Sequence, residues 1–78
     1  MKTRCKFKCD QVTDFGEAKT VVMSPVYSND PKSENKAFWD ASPGGKLELC
    51  WVNKNVGFTP GKEYYIDITM AGEVNAND

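Results

Sequence analysis

The chain contains no histidine, so the usual general base near neutral pH is missing. Ser–His and Cys–His nucleophile pairs are excluded for the same reason. The remaining strong nucleophiles are three cysteines, Cys5, Cys9 and Cys50. A thiol among them would react only if a lysine or a helix N-terminus lowered its pKa. Lys6 and Lys8 alternate with Cys5 and Cys9, which places them on the opposite face of an extended strand. Buried, inert thiols are therefore the expectation. On one strand Cys5 and Cys9 lie roughly 13 Å apart at 3.3 Å per residue. A disulfide needs Cα atoms within about 7 Å, so that pair cannot close without a bend. The odd count and the lack of a signal peptide point to reduced thiols in a cytosol. A zinc site would need three thiolates plus a carboxylate, with no Cys-x-x-Cys pair to start from. We assign no metal and no cofactor.

Among the carboxylates, Asp67 stands mid-strand between Tyr65 and Thr69, opposite Ile66 and Ile68. It reads as a solvated residue paired with a neighbouring lysine. A polar group lining a binding surface, or half of a catalytic carboxylate pair, is the alternative, and no second half of such a pair can be identified. Gly44-Gly45-Lys46 and Pro60-Gly61-Lys62 lack the spacing and the following helix of a phosphate-binding loop, so both read as turns. No catalytic residue is assigned, and an enzyme using carboxylate chemistry ranks third among the readings.

Two groups of residues suit binding instead. Lys6, Lys8, Tyr65 and Trp39, if they meet on one curved surface, have the charge and stacking planes that hold single-stranded nucleic acid. The competing view has Arg4, Lys6 and Lys8 lining the solvent face of a first strand and pairing with acidic residues on its neighbour. Ten basic residues against eleven acidic ones give a net charge of −1, which weakens the field such binding depends on. The second group is Lys36, Phe38 and Trp39. Adjacent aromatics on a helix point about 100° apart, so one covers the core while the other is free to contact a protein. Both could instead pack together beneath the loop.

These residues need elements to position them. The clearest is the run Thr59-Pro60-Gly61-Lys62-Glu63 followed by Tyr64-Tyr65-Ile66-Asp67-Ile68-Thr69-Met70. Pro60 and Gly61 fit the two central positions of a type II turn. Tyr64, Ile66, Ile68 and Met70 then share one face of a half-buried strand. Residues 3–13 predict a first strand with Cys5, Phe7 and Cys9 inward, and 13–17 a hairpin loop. A second strand is expected over 19–26, with Val21 and Met23 on one face. Pro25 puts that strand at a sheet edge or ends it.

Residues 31–40 predict a helix of one or two turns, capped by Asp30 with Pro31 first, and with Ala37 and Phe38 or Trp39 inward. Ser42-Pro43-Gly44-Gly45 breaks the chain. A third strand over 46–52 would place Leu47, Leu49 and Trp51 on one face. Residues 53–57 form a loop, Phe58 returns to the core, and 72–78 read as a frayed tail. A fifth short strand is expected from Tyr27 or from 53–58.

Seventy-eight residues make a single small β-rich domain, 1–78. Such a chain hides only roughly 60–65% of the surface its unfolded form exposes. Nine aromatics help to fill the thin core. The fold class is mainly β: a small antiparallel sheet of four or five strands curled into a partly open barrel, with one short helical insert. No apolar run approaches membrane-spanning length. The edge beside Pro25 and the thin core together suggest a homodimer.

Met23-Ser24-Pro25-Val26-Tyr27, Ser33-Glu34-Asn35-Lys36-x-Phe38-Trp39, Ala41-Ser42-Pro43-x-Gly45 and Pro60-Gly61-Lys62-Glu63-Tyr64-Tyr65 occur in that order. With the basic first strand, they resemble a group of small proteins encoded by tailed bacteriophages, over roughly residues 3–70. The resemblance implies a setting and no activity: a phage genome, with the protein in host bacterial cytoplasm or in a virion. The first expectation is thus a non-enzymatic phage-type protein that contacts a host or phage protein or itself. An OB-like single-strand nucleic-acid binder is the second.

Overall fold

The computed structural model describes residues 2–72. The chain forms β1 (Lys2–Asp14), β2 (Ala18–Pro25), α1 (Glu34–Phe38), β3 (Leu47–Asn53) and β4 (Glu63–Thr69). The four strands are antiparallel in the order β3-β2-β1-β4, and the sheet curls into a half-barrel. Neither Tyr27 nor residues 53–58 adds the expected fifth strand. The segment 73–78, expected to fray, lies outside the described residues.

Alternation explains which residues turn inward. Cys5, Phe7 and Cys9 of β1 meet Val21 and Met23 of β2 in the buried core. Two bulges then change the phase. In β1 the register passes from Cys9↔Met23 to Gln11↔Val22, so Asp10 is the extra residue. Beyond it the inward role moves from odd to even positions, and Val12 packs against the core. In β3 the register passes from Val21↔Leu49 to Lys19↔Val52, setting Cys50 and Trp51 against Thr20 alone. Leu47, Leu49 and then Val52 face the core. A bulge adds local twist and bends its strand, which curls a sheet of this size. The face expected to be shared by Leu47, Leu49 and Trp51 is therefore incorrect for Trp51: the bulge turns it out, with 83% of its surface exposed.

The Pro60–Gly61 turn forms as its residues dictate. Lys62 N–H donates to the Thr59 carbonyl at 3.1 Å, and Gly61 has φ of 90°. Its N–H also donates to the Cys9 carbonyl at 2.8 Å, which delivers β4 to the open side of β1. Phe58 returns to the core as expected, edge-on to Tyr64 at 5.3 Å. Along β4, Tyr64 and Ile66 pack inward, but Ile68 and Met70 are exposed although they share that face. Strand β2 ends at Pro25 and lies inside the sheet, so the edge expected beside Pro25 is not there. Among the described residues, the edge strands are β3 and β4.

The helix is shorter than expected and starts later. Ser33, not Asp30, is its N-cap, accepting the Asn35 N–H at 3.3 Å. Asp30 instead accepts the Lys32 N–H at 2.9 Å, closing a turn that uses up Pro31. Five residues cannot sustain a helix alone. Asn35 is what anchors it. Just beyond Pro25, Val26 N–H still donates to the Lys6 carbonyl, but Lys6 N–H donates to Asn35 Oδ1 at 2.6 Å. Asn35 Nδ2–H donates to the carbonyls of Lys6 and Val26, both at 2.8 Å. The side-chain amide thus stands in the β1–β2 ladder as a peptide group would, and Asn35 is only 2% exposed. Its neighbours differ from expectation too. Ala37 is exposed, not inward.

Candidate interaction surface

The outer face of β1 and β4 carries the charges. Cross-strand register pairs Arg4 with Asp67 and Lys6 with Tyr65. Arg4 binds Asp67 with two hydrogen bonds, Nε–H to Oδ1 at 2.7 Å and a terminal N–H to Oδ2 at 3.2 Å. This contact raises the Arg4 pKa above its already high value, through the hydrogen bond first and the charge second. Lys6 Nζ lies 3.8 Å from Glu63. Arg4 and Lys6 therefore pair with acids on the neighbouring strand, one of the two arrangements the alternation allowed. Asp67 takes an arginine where a lysine was expected.

Both cations also lie over one ring. Arg4 sits 4.6 Å and Lys6 5.4 Å from the centroid of Tyr65. Cation–π contacts of this reach hold an aromatic in place while leaving its edge in water. Tyr65 remains 52% exposed. Lys8, also on this face, is opposite Glu63 in the register and exposed.

Beside this face the chain leaving β2 passes through a series of turns, and between the two lies a cleft of about 380 Å3. Lys6, Glu63 and Tyr65 line its sheet side; Tyr27, Asp30, Lys32 and Glu34 line the other. A smaller hollow of about 210 Å3 continues along Lys6, Glu63, Tyr64 and Tyr65. Tyr27 is 63% exposed. Its hydroxyl group is 2.9 Å from Asn29 Oδ1, and Lys36 Nζ stands 5.9 Å from its ring. The cleft thus has a tyrosine on each wall and two lysines facing three carboxylates. It can hold an extended or looped segment between the exposed edges of the two tyrosines and offer it both donors and acceptors.

Of the residues expected to act together, Lys6 and Tyr65 are joined in the cleft, and Lys36 stands behind Tyr27 on its rim. Phe38 and Trp39 are elsewhere. Trp39 leaves the helix with extended backbone (φ −105°, ψ 138°) and packs against the core, 6.0 Å from the Phe7 ring. Its indole N–H donates to the Gly44 carbonyl at 3.1 Å. Phe38 packs edge-on to Trp39 at 4.6 Å and is partly exposed. Trp39 closes the half-barrel end, and the partly exposed aromatic is Phe38. Sequence reasoning missed Tyr27, whose only signal was an aromatic residue among polar turn-formers.

A second exposed feature lies at the β3 bulge. Phe15, Thr20, Cys50 and Trp51 line a hollow of about 260 Å3. Trp51 has φ of 60°, a region that costs a bulky residue about 1–2 kcal/mol. Trp51→Gly is expected to raise stability by about 1 kcal/mol, since relief of strain outweighs the lost contacts of an exposed ring. Urea denaturation checks this.

The thiols divide in two. Cys5 and Cys9 are buried and Cys50 is exposed. Burial pushes the Cys5 thiol pKa up, and the Asp67 charge adds to the shift. Titration of the native protein with a thiol reagent should modify one cysteine, Cys50, quickly and the other two only on unfolding. Fast modification of all three would contradict this.

Among the described residues, no three Cys, Asp or Glu side chains are grouped to hold a metal ion, and no helix is long and apolar enough to cross a membrane. No protein-family model matches the chain, and neither the curated proteins nor the solved structures compared with it yield a match.

Proposed function

We propose that this is a non-enzymatic binding protein that grips a segment of another protein in the cleft between Tyr27 and Tyr65. The resemblance stated above gives its setting, a phage-encoded protein acting on a host or phage partner in bacterial cytoplasm or in a virion. One observation carries the reading: two half-exposed tyrosines face a cleft lined by two lysines and three carboxylates. Interfaces concentrate binding energy in such aromatics, ringed by polar groups that are already satisfied.

Single-stranded nucleic acid fits this surface less well. Binding to a phosphate backbone draws on cations free to release counterions, and here Arg4 and Lys6 already face Asp67 and Glu63. They also cover the Tyr65 face on which a base would stack. The protein is expected to pass through a single-stranded DNA column at low salt. Salt-dependent retention, lost when Lys6 and Lys8 are changed to glutamate, would replace this reading with the nucleic-acid one.

Tyr27→Ala tests the positive claim. Its ring is exposed and outside the core, so stability should stay within about 0.5 kcal/mol of the parent. Affinity for a captured partner should fall by about 2 kcal/mol, roughly thirtyfold, as at an aromatic hot spot.

A further inference from the structure

The two edges of the sheet differ. Edge strand β3 is interrupted by the bulge at Cys50 and Trp51, a device that blunts an edge against further pairing. Edge strand β4 (Glu-Tyr-Tyr-Ile-Asp-Ile-Thr) has no proline, no lysine and no bulge across its seven residues. Among the described residues, no strand lies on its outer side. Its backbone phase follows from its first contact. Cys9 N–H donates to the Lys62 carbonyl, so alternation gives Tyr64, Ile66 and Ile68 to the β1 ladder and turns the peptide groups of Glu63, Tyr65, Asp67 and Thr69 outward.

We infer that β4 pairs with β4 of a second copy, antiparallel about a two-fold axis at Ile66, joining two half-barrels into one continuous sheet. The inference extends the protein-contact reading to a second partner, the chain itself. Charge selects the register. Centring the pair on Tyr65 would set Glu63 opposite Asp67 of the second copy, twice, and centring it on Asp67 would set that residue opposite itself. Like charges directly opposite destabilise a pair. Centring on Ile66 sets Glu63 opposite Thr69 and Tyr65 opposite Asp67, with no like-charge pair.

Two further facts fit that register. The outward residues become the hydrogen-bonded pairs, giving about eight inter-copy bonds, within the range of a typical interface. On the inner face, Ile68 comes opposite Tyr64 of the second copy. That covers an apolar side chain left 47% exposed although it shares the face of Tyr64 and Ile66. The cleft stays open on its Tyr27 side.

Sedimentation equilibrium from low to high micromolar concentration tests this with two variants of one exposed residue. For the parent, the mass should climb from 8.7 kDa towards twice that value. Thr69→Glu creates two like-charge pairs with Glu63 across the axis and should weaken the dimer roughly tenfold. Thr69→Lys creates two opposite-charge pairs and should tighten it by about the same factor. A parent that stays at 8.7 kDa throughout, or variants that shift together or not at all, would overturn the proposal. Circular dichroism confirms that each variant is folded. A lost dimer with intact partner capture through Tyr27 would sink this inference alone, whereas loss of capture in Tyr27→Ala leaves the mass unchanged.

Discussion

Changing Asn35 to aspartate is expected to destabilise the domain by about 3 kcal/mol or more at neutral pH, although the two side chains have nearly the same shape. The reason is the direction of the hydrogen bonds. Asn35 Nδ2 donates to the carbonyls of Lys6 and Val26, while Oδ1 accepts from Lys6 N–H. A carboxylate keeps the acceptor and loses both donors, so it turns a buried negative charge towards two carbonyl oxygens. The domain's whole stability is about 4–12 kcal/mol by the usual per-residue range.

The pH dependence of that variant has a definite sign. Burial and the facing carbonyls raise the folded-state pKa of the new carboxyl above its unfolded value of about 3.9. Its stability contribution is therefore fully present below that unfolded value and is lost as pH rises through the folded one. The gap between Asn35→Asp and the parent should narrow in acid, where the protonated carboxyl can donate to one carbonyl again. Asn35→Ala, which removes acceptor and donors together, should cost about 2 kcal/mol, with no such pH dependence. Urea denaturation at neutral and acidic pH measures all three. A neutral-pH loss below about 0.5 kcal/mol for Asn35→Asp would mean that the amide is not part of the ladder.

Phe7→Ala should cost about 3–5 kcal/mol, enough to leave the protein largely unfolded at physiological temperature. Phe7 is buried in the centre of β1 and touches Trp39, so its removal opens a cavity and frees the ring that closes the barrel end. It is also the second point at which the helical insert is held, after Asn35. The two positions should therefore couple: Phe7→Ala combined with Asn35→Ala should cost less than the sum of the single losses, because the insert can be released only once. Additive losses would show that the two anchors hold separate parts.

How far the sequence reveals this depends on the range of the forces involved. Alternation is local: it turns Cys5, Phe7 and Cys9 inward and puts Val21 and Met23 on one face, and these five form the buried core. The Pro60–Gly61 turn is local too, because φ preferences act on single residues. The same alternation fails at Trp51, since a bulge inserts one residue and reverses the face of everything after it. No residue type near Cys50 announces that bulge; glycine, the usual occupant of its positive φ, is absent there. Asn35 is harder still. Its contacts lie 29 and 9 residues away, in a strand and in the chain leaving another, and a polar residue in a five-residue helix has no periodicity to betray burial.

The candidate surface was half legible for the same reason. Lys6 and Tyr65 alternate outward on strands that could be read, and they meet. The sequence left open which of Phe38 and Trp39 turns inward; the helix ends at Phe38 and the backbone extends at Trp39, turning that ring back onto Phe7. Tyr27 belongs to the cleft because Asn35 pulls the helix against β1 and brings the intervening turns beside Tyr65. That placement depends on contacts made far along the chain, by Asn35 with Lys6 and by Trp39 with Phe7.

The most direct test of the protein-contact claim is capture of partners by the tagged protein from lysate of infected bacteria, with nuclease added, using the parent and Tyr27→Ala side by side. The account predicts a stoichiometric protein, identified by mass spectrometry, that survives nuclease with the parent and is lost with Tyr27→Ala. Partners that vanish with nuclease, or that bind both forms equally, would contradict it.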